Sequence, residues 1–437
     1  MLALCGLGLL IGAGFLFRLA VPWLGRLLLP ASLVAGFLGL AAGPHGLGVV
    51  PQGIVDTWST LPGLLINVVF AGLFLGAPLP AVSSIARQAG PLIRFSVIGA
   101  FGQYLVGFAI TWLLLTPVFG VSALFGCLIE IGFSGGHGTA SAMGPVFTAY
   151  GFPAGGALGQ MSATVGILVG VVGGVLLVQW ATRSGYVDGA APGGVRLPQD
   201  VSGLLPPDQR RAIATSTVSS VAVEPFALHA SVALVAVLIG WVMLEGLRRA
   251  HPVFANFPLF PLAMAGGGLL QGLAQRTGAA AYFDRPTFQR LSGLALDLLV
   301  TAAVASMRLD LFVQNLAPFT LLMVAGTVWC IGSFVWLAPR MLAAPWFEPA
   351  IVVYGTQTAV AAVGLMLLRI VDPHHKTAAA QTFAARSAVI APLLGGGLVT
   401  ATMPLLVAQF GIAAMLAASA AAMGLAWVWP GRYRVTR

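Results

Sequence analysis

Apolar residues run along this chain in blocks too long and too continuous to serve as one face of a soluble helix. The blocks lie at about 2–17, 31–50, 61–79, 95–116, 121–147, 155–182, 226–247, 253–274, 291–307, 316–339, 348–370, 378–407 and 411–429. Most approach or exceed the roughly 20 apolar residues that carry a helix across a bilayer core. They lack the alternation of membrane barrel strands. The pattern predicts an all-α, polytopic integral membrane protein with about 10–11 transmembrane helices. The block 121–147, interrupted by glycines, is expected to enter and leave on one face as a re-entrant hairpin.

One polar stretch, about 183–225, divides the blocks into two sets. It holds Asp188, Arg196, Asp200, Asp208, Arg210, Arg211 and Glu224 among prolines and glycines, the composition of a linker. The two sets match in order: LPASLVAGFLGLAAG answers to FPLFPLAMAGGGLLQG, INVVFAGLFLGAPL to LDLLVTAAVASMRLDL, and SVIGAFGQYLVGFAITWLL to LMVAGTVWCIGSFVWLAPRML. An interrupted apolar block and a long Gly-rich helix then follow in each. Such a duplication within a membrane chain predicts the organisation of a secondary transporter. Residues 1–182 form the first repeat, 183–225 a cytoplasmic linker, 226–410 a second, inverted repeat, and 411–437 an extra C-terminal helix and tail.

Composition agrees. Of 437 residues, 58% are hydrophobic and 8% charged, against about 25% charged in a soluble chain, and the mean hydropathy is +0.96. The net charge of +9 does not point to nucleic acid, because Lys376 is the single lysine and the arginines sit alone or in pairs between apolar blocks. That is how topology signals are placed. Arg18, Arg26, Arg87 and Arg94 put the ends of the first and third helices inside and the N-terminus outside. The linker, Arg276, Arg285, Arg290, Arg340, Arg432, Arg434 and Arg437 then fall inside, while Arg248, Arg249 and Arg308 fall outside as exceptions. The first block has no basic residue before its apolar core, so it is expected to be a retained helix rather than a signal peptide. Cys5, Cys127 and Cys330 lie in apolar blocks without CxxC spacing, so no disulfide or metal site is expected.

The segment Ile129–Phe147 concentrates the candidate chemistry. Ser134-Gly135-Gly136-His137-Gly138-Thr139 lies in its middle, and three glycines in four positions destabilise a helix by about 1 kcal/mol each relative to alanine. A break at membrane depth frees backbone groups, which is tolerated only inside protein or beside a polar cavity. Half-helix ends there attract anions through their N–H groups and cations through their carbonyls. Close helix packing between small residues is the alternative.

SGGHGTASAMGPVFTAYGF, followed by SATVGILVGVVGGVL, resembles the first-half signature of the bacterial sodium/glutamate symporter family. The matching elements are Ser134–Thr139, Tyr150–Phe152 and the Ala-Thr-x-Gly helix Ala163–Gly174, and the resemblance covers about residues 20–410. It implies two inverted five-helix repeats with a re-entrant hairpin in each, Na⁺-driven uptake of L-glutamate, a bacterial inner-membrane location and a homodimer. The second half departs from the pattern. The family has a Gly-His-rich hairpin with a proline, whereas Tyr354-Gly355-Thr356-Gln357-Thr358-Ala359 has no histidine and no proline follows until Pro373. The block 411–429 is also additional.

Glu130, Asp297 and Arg386 are ionisable residues within apolar blocks, where a charge costs at least about 2.5–3.5 kcal/mol. Glu130 is read either as a cation or proton site, for which the resemblance supplies no counterpart, or as the partner of an arginine or a near-surface group. Arg386 is read first as an interfacial, snorkelling side chain and second as a bidentate partner of a substrate carboxylate. Asp297 is taken as structural, and His374 and His375 as part of a solvated turn. Gly132-Phe133-Ser134-Gly135-Gly136 also fits the GxSxG of serine hydrolases, with His229 as the one intramembrane base. Chance matches are common in a chain with 56 glycines, and an enzyme is not expected.

The expectation is therefore a sodium-coupled symporter of L-glutamate, or of another organic anion driven by Na⁺ or H⁺, with a channel or a non-transporting receptor as the contrasting class. Expected substrate ligands are Ser134, Gly135, Gly136, His137, Gly138 and Thr139 on one hairpin, Thr356, Gln357 and Thr358 on the other, and Arg386. Glu130 and Thr164 are the expected ion-coupling residues. The bilayer and a small glutamate-like anion are the expected partners; no cofactor beyond the coupling ion and no nucleic acid are expected.

Overall fold

The structure, a computed structural model, describes residues 1–22, 24, 29–44, 46–77, 82–187, 212–372 and 377–428. Arg26, the linker stretch 188–211 with Asp188, Arg196, Asp200, Asp208, Arg210 and Arg211, the stretch 373–376 with His374, His375 and Lys376, and the tail 429–437 lie outside the described residues.

All regular structure among the described residues is helical. Before the linker come α1 (Leu2–Ala20), α2 (Ala31–Ala42), α3 (Gln52–Ala71), α4 (Val82–Ile110), α5 (Leu128–Phe133), α6 (Gly136–Ala149), α7 (Gly155–Leu168) and α8 (Gly174–Arg183). After it come α9 (Pro225–Ala250), α10 (Phe260–Thr277), α11 (Arg285–Ala305), α12 (Leu309–Gln314), α13 (Leu316–Met341), α14 (Phe347–Thr358), α15 (Ala361–Val371), α16 (Ala379–Ile390), α17 (Leu398–Phe410) and α18 (Ile412–Val428). α4 runs on through a π turn, Thr111–Leu115, to Phe119, and a second π turn, Val169–Gly173, joins α7 to α8.

Seven of these helical spans are long and apolar enough to cross a membrane: Leu2–Ala20, Gln52–Ala71, Ala89–Phe119, Gly155–Arg183, Pro225–Ala250, Arg285–Ala305 and Leu316–Met341. Shorter apolar helices include α2, α15, α17 and α18. The chain thus has the make-up of a helical membrane protein. One block departs from expectation. Residues 378–407 form two helices rather than one long one, because the chain turns at 391–397, where Gly395 and Gly396 take φ of 66° and 100°.

The helices gather into two compact units that do not follow chain order. The first contains Met1–Gly25, Leu29–Pro80 and Asp200–Met307; the second contains Arg26–Leu28, Ala81–Gln199 and Arg308–Arg437. Each unit therefore draws on both sides of the linker.

In the first unit α9 packs on α10 and α11 on α2 and α3. One core joins Ala71, Leu75, Ala233, Ala236, Ala263 and Phe288, and another joins Leu7, Trp58, Ala302 and Ala305. Small residues set the spacing. A Cβ on Gly266 would stand 2.2 Å from the Ala236 carbonyl oxygen, and one on Gly267 2.2 Å from that of Ala71. Such close approach is how helices associate where lipid offers no hydrophobic drive. Polar groups close the ends. Asp284 caps α11 by accepting from the Thr287 amide at 2.9 Å and its hydroxyl at 2.6 Å. The Asp284 amide donates to His229 Nε2 at 2.8 Å, and His229 Nδ1 lies 2.6 Å from the Pro225 carbonyl. Both ring nitrogens are thus engaged, with the Nδ1–H tautomer donating to Pro225. Burial alone pushes the Asp284 carboxyl up, but the donors from Thr287 and Thr215 outweigh it and hold it below the usual carboxylate range.

Candidate functional site

The second unit contains every residue expected to bind substrate or ion. Its first feature is a reversal at Ser134–Gly136. α5 runs alongside α7 in the same sense: Ser162 Oγ donates to the Leu128 carbonyl at 2.8 Å, and Phe133 lies against Gly166. α6 runs along α7 in the opposite sense, with His137 beside Thr164, Ala140 against Gly159 and Phe147 against Gly155. The chain must therefore turn back between them. Gly135 has no room for a side chain, since its Cβ would fall 2.4 Å from the Ile131 carbonyl oxygen, and Gly136 takes φ of 71°. The reversal is tighter than the Ser134–Thr139 tip expected: Gly136, His137, Gly138 and Thr139 already form the first turn of α6.

The second feature is the α14–α15 pair. Ala359 and Val360 leave helical geometry, and the helices on either side of them touch backbone to backbone. A Cβ on Gly355 would stand 2.6 Å from the Gly364 Cα, and one on Gly364 2.3 Å from the Val352 carbonyl oxygen. The break comes after Thr356, Gln357 and Thr358 rather than at them. The hydroxyls of Thr356 and Thr358 donate within their own helix, to the carbonyls of Val352 and Tyr354 at 2.8 Å each.

The two breaks meet. Ser134 Oγ lies 3.2 Å from the Gln357 carbonyl oxygen and 3.0 Å from Gln103 Oε1. Gln103 Nε2 donates to the same Gln357 carbonyl at 2.8 Å. The Gln357 side chain turns to α4, where its Nε2 donates to the Ser96 carbonyl at 2.6 Å. Ser96 Oγ in turn accepts from Arg386 Nε at 2.7 Å. One polar network thus runs from the first break through Gln357 and Ser96 to Arg386. The cavity beside Gln357, bordered by Gly99, Trp329, Tyr354 and Thr358, is about 10 Å³, the space of about one water.

Arg386 lies inside the protein, 4% exposed, with its guanidinium carbon 5.6 Å from the Phe383 ring centre. It has no acidic partner among the described residues. The snorkelling reading of Arg386 is therefore corrected: the head group is enclosed by α4 and α16 and does not reach out.

Glu130 is fully buried. Its Oε2 is 2.5 Å from Tyr104 Oη, and its Oε1 accepts from the Gly395 amide and Thr400 Oγ1, both at 2.9 Å. Neither the arginine pair nor the near-surface position considered for it is observed. The carboxylate pins the turn between α16 and α17 against the first break, where a Cβ on Gly395 would lie 3.0 Å from the Ser134 carbonyl oxygen. Thr164 and His137 form a separate pair. His137 Nε2 is 3.0 Å from Thr164 Oγ1, whose own proton goes to the Gln160 carbonyl at 3.1 Å, so His137 donates from Nε2.

Sequence reasoning passed over Gln103, Ser96, Tyr104 and Thr400. A signal for the first two existed: Ser96, Gly99 and Gln103 recur at helical spacing on one face of α4, where an apolar stripe would serve packing better. Tyr104 and Thr400 gave no such signal. In comparisons with protein-family models, curated proteins and solved structures, nothing matches this chain.

Proposed function

We propose that this chain is a secondary active transporter that carries a small organic anion, L-glutamate first among candidates, with Na⁺ as the coupling ion. The observation that carries the proposal is the meeting of two helix breaks, through Ser134 and the Gln357 carbonyl, in one network with a buried arginine that has no acidic partner among the described residues. An unpaired buried cation is costly, several kcal/mol after relaxation, and a ligand carboxylate docking on it bidentately would offset that cost. Freed amides at the breaks add donors for an anion, and freed carbonyls add acceptors for an ammonium or Na⁺.

In this reading the two breaks are re-entrant hairpins of inverted repeats. Each repeat places its first helices in the first unit and its hairpin in the second, which would account for units that draw on both sides of the linker. The one-water cavity beside Gln357 then belongs to a closed state, and substrate entry requires the breaks to separate. Glu130 and Thr164 are the proposed ion-coupling residues, the location is the bacterial inner membrane, and the assembly is a homodimer. The departure of the second break from the sodium/glutamate pattern keeps another carboxylate, driven by Na⁺ or H⁺, as the second reading.

The test is uptake of labelled L-glutamate and of a panel of mono- and dicarboxylates into proteoliposomes, with Na⁺ and pH gradients imposed separately. Saturable, gradient-dependent accumulation of one anion is expected. Conductance without saturation or ion coupling would instead place the chain among channels, and binding without flux among receptors.

A further inference from the structure

The helix α18 has no part in the site above, yet it forms one wall of a concavity in the second unit. Both α13 and α18 pack on α4, but they hardly touch each other. Between them lies an open groove of about 790 Å³, lined by apolar side chains that include Ile98, Val106, Val328, Trp336, Met423 and Trp427. Among the described residues no acid lines it.

The groove has a polar margin. Gly326 sits against Ile129, and Glu130 beside it bonds Tyr104. Further along α13, Trp329 Nε1 donates to the Gly99 carbonyl at 2.9 Å. α13 therefore runs antiparallel to α4, so its C-terminal part, with Arg340, points toward the N-terminal half of α4, on which Arg94 lies. Arg94 Nε and Nη2 donate to the last carbonyls of α18, at Ala426 (3.0 Å) and Trp427 (2.8 Å). Arg340 is exposed, and its guanidinium carbon lies 4.6 Å from the centre of the Trp336 ring. Trp336 and Trp427 both line the trough, and each has an arginine against it at the margin: Arg340 over the Trp336 ring and Arg94 at the Trp427 carbonyl.

We propose that this groove is a binding site for an anionic phospholipid, with the acyl chains between α13 and α18 and the phosphate at Arg340 and Arg94. The apolar walls suit hydrocarbon, and basic pockets between membrane helices recruit anionic head groups. Indole rings favour the boundary between the two. α18 then serves as the wall that makes the site. The inference needs only that the chain is a membrane protein, so it stands apart from the transport reading.

Native mass spectrometry of detergent-purified full-length protein, incubated with equimolar phosphatidylglycerol and phosphatidylcholine, tests it. At least one phosphatidylglycerol per chain should be retained in preference to phosphatidylcholine. Arg340→Ala should lower that preference about fivefold, the effect of one arginine near an anionic lipid surface. Gly332 and Gly424 line the groove, and a Cβ on either meets nothing within 4 Å, so Gly332→Trp and Gly424→Leu fill it without disturbing the protein interior. Both should abolish retention while the helical circular dichroism stays unchanged, and either alone suffices if the other misfolds. Equal retention of the two lipids, or retention that survives filling, overturns the proposal. So does a dimer that falls to monomer on filling with lipid retention unaltered, because the occupant is then a second copy of the chain.

Discussion

Glu130→Gln separates the two roles its surroundings allow. The carboxylate receives the Gly395 amide and the Thr400 hydroxyl on one oxygen and faces the Tyr104 hydroxyl with the other. Glutamine keeps the shape and one acceptor oxygen for Gly395 and Thr400, and Tyr104 can turn its hydroxyl to accept from the new amide. Hydrogen bonds to a charged group contribute about 1.5–3 kcal/mol and neutral ones about 0.5–1.5, so neutralisation weakens each of the three by about 1 kcal/mol. Against that loss, the cost of burying an ionised carboxylate, several kcal/mol, disappears. The two effects offset, and the variant should melt within about 2 kcal/mol of the parent. Glu130→Leu instead strands the Gly395 amide and removes the acceptor of two hydroxyls, at about 1–3 kcal/mol per group left unpaired. Thermal melts of both variants, together with proteoliposome uptake under separate Na⁺ and pH gradients, form the assay. If Glu130 couples the ion, Glu130→Gln folds but loses the dependence of uptake on the gradient. A well-folded Glu130→Gln with parental ion dependence would refute the coupling role and leave Glu130 as a pin for the 391–397 turn.

Three further outcomes are expected. Ser134→Ala and Gln357→Ala should each weaken substrate binding by about 3- to 150-fold in calorimetry, as the loss of one neutral to charge-assisted hydrogen bond implies; an effect of Ser134→Ala alone would make the α14–α15 break a packing element. Arg386→Met should abolish anion binding while the ligand-free protein melts no lower than the parent, because an unpaired buried charge is removed; a lower melting temperature with binding intact would make Arg386 structural. Asp284→Ala should cost about 1 kcal/mol through loss of the α11 cap. Because the folded Asp284 carboxyl lies below its ordinary value, its contribution is complete above about pH 4 and disappears as pH falls through the folded value. Parallel acid-melting curves for parent and Asp284→Ala would contradict that assignment.

Local pattern alone determined the all-helical, membrane-type make-up of this chain. Its 8% charged residues cannot cover a soluble surface, and its long apolar blocks need only their own backbone bonds to become helices. The break at Ser134–Gly136 was legible for the same reason, because Gly135 and Gly136 act on the backbone where they stand. The 391–397 turn was not, since its glycines also suit a tightly packed helix until Glu130, 265 positions away, engages the Gly395 amide. Tertiary structure likewise decided what each polar group meets. The Gln103 side chain bonds a carbonyl 254 positions away, and Arg386 a hydroxyl 290 positions away. Hydropathy could rank Arg386 only by its cost in lipid, which an interfacial position relieves as well as burial in protein does. The packing of α4 against α14 and α16 turned it inward, and no periodicity along the chain encodes that contact.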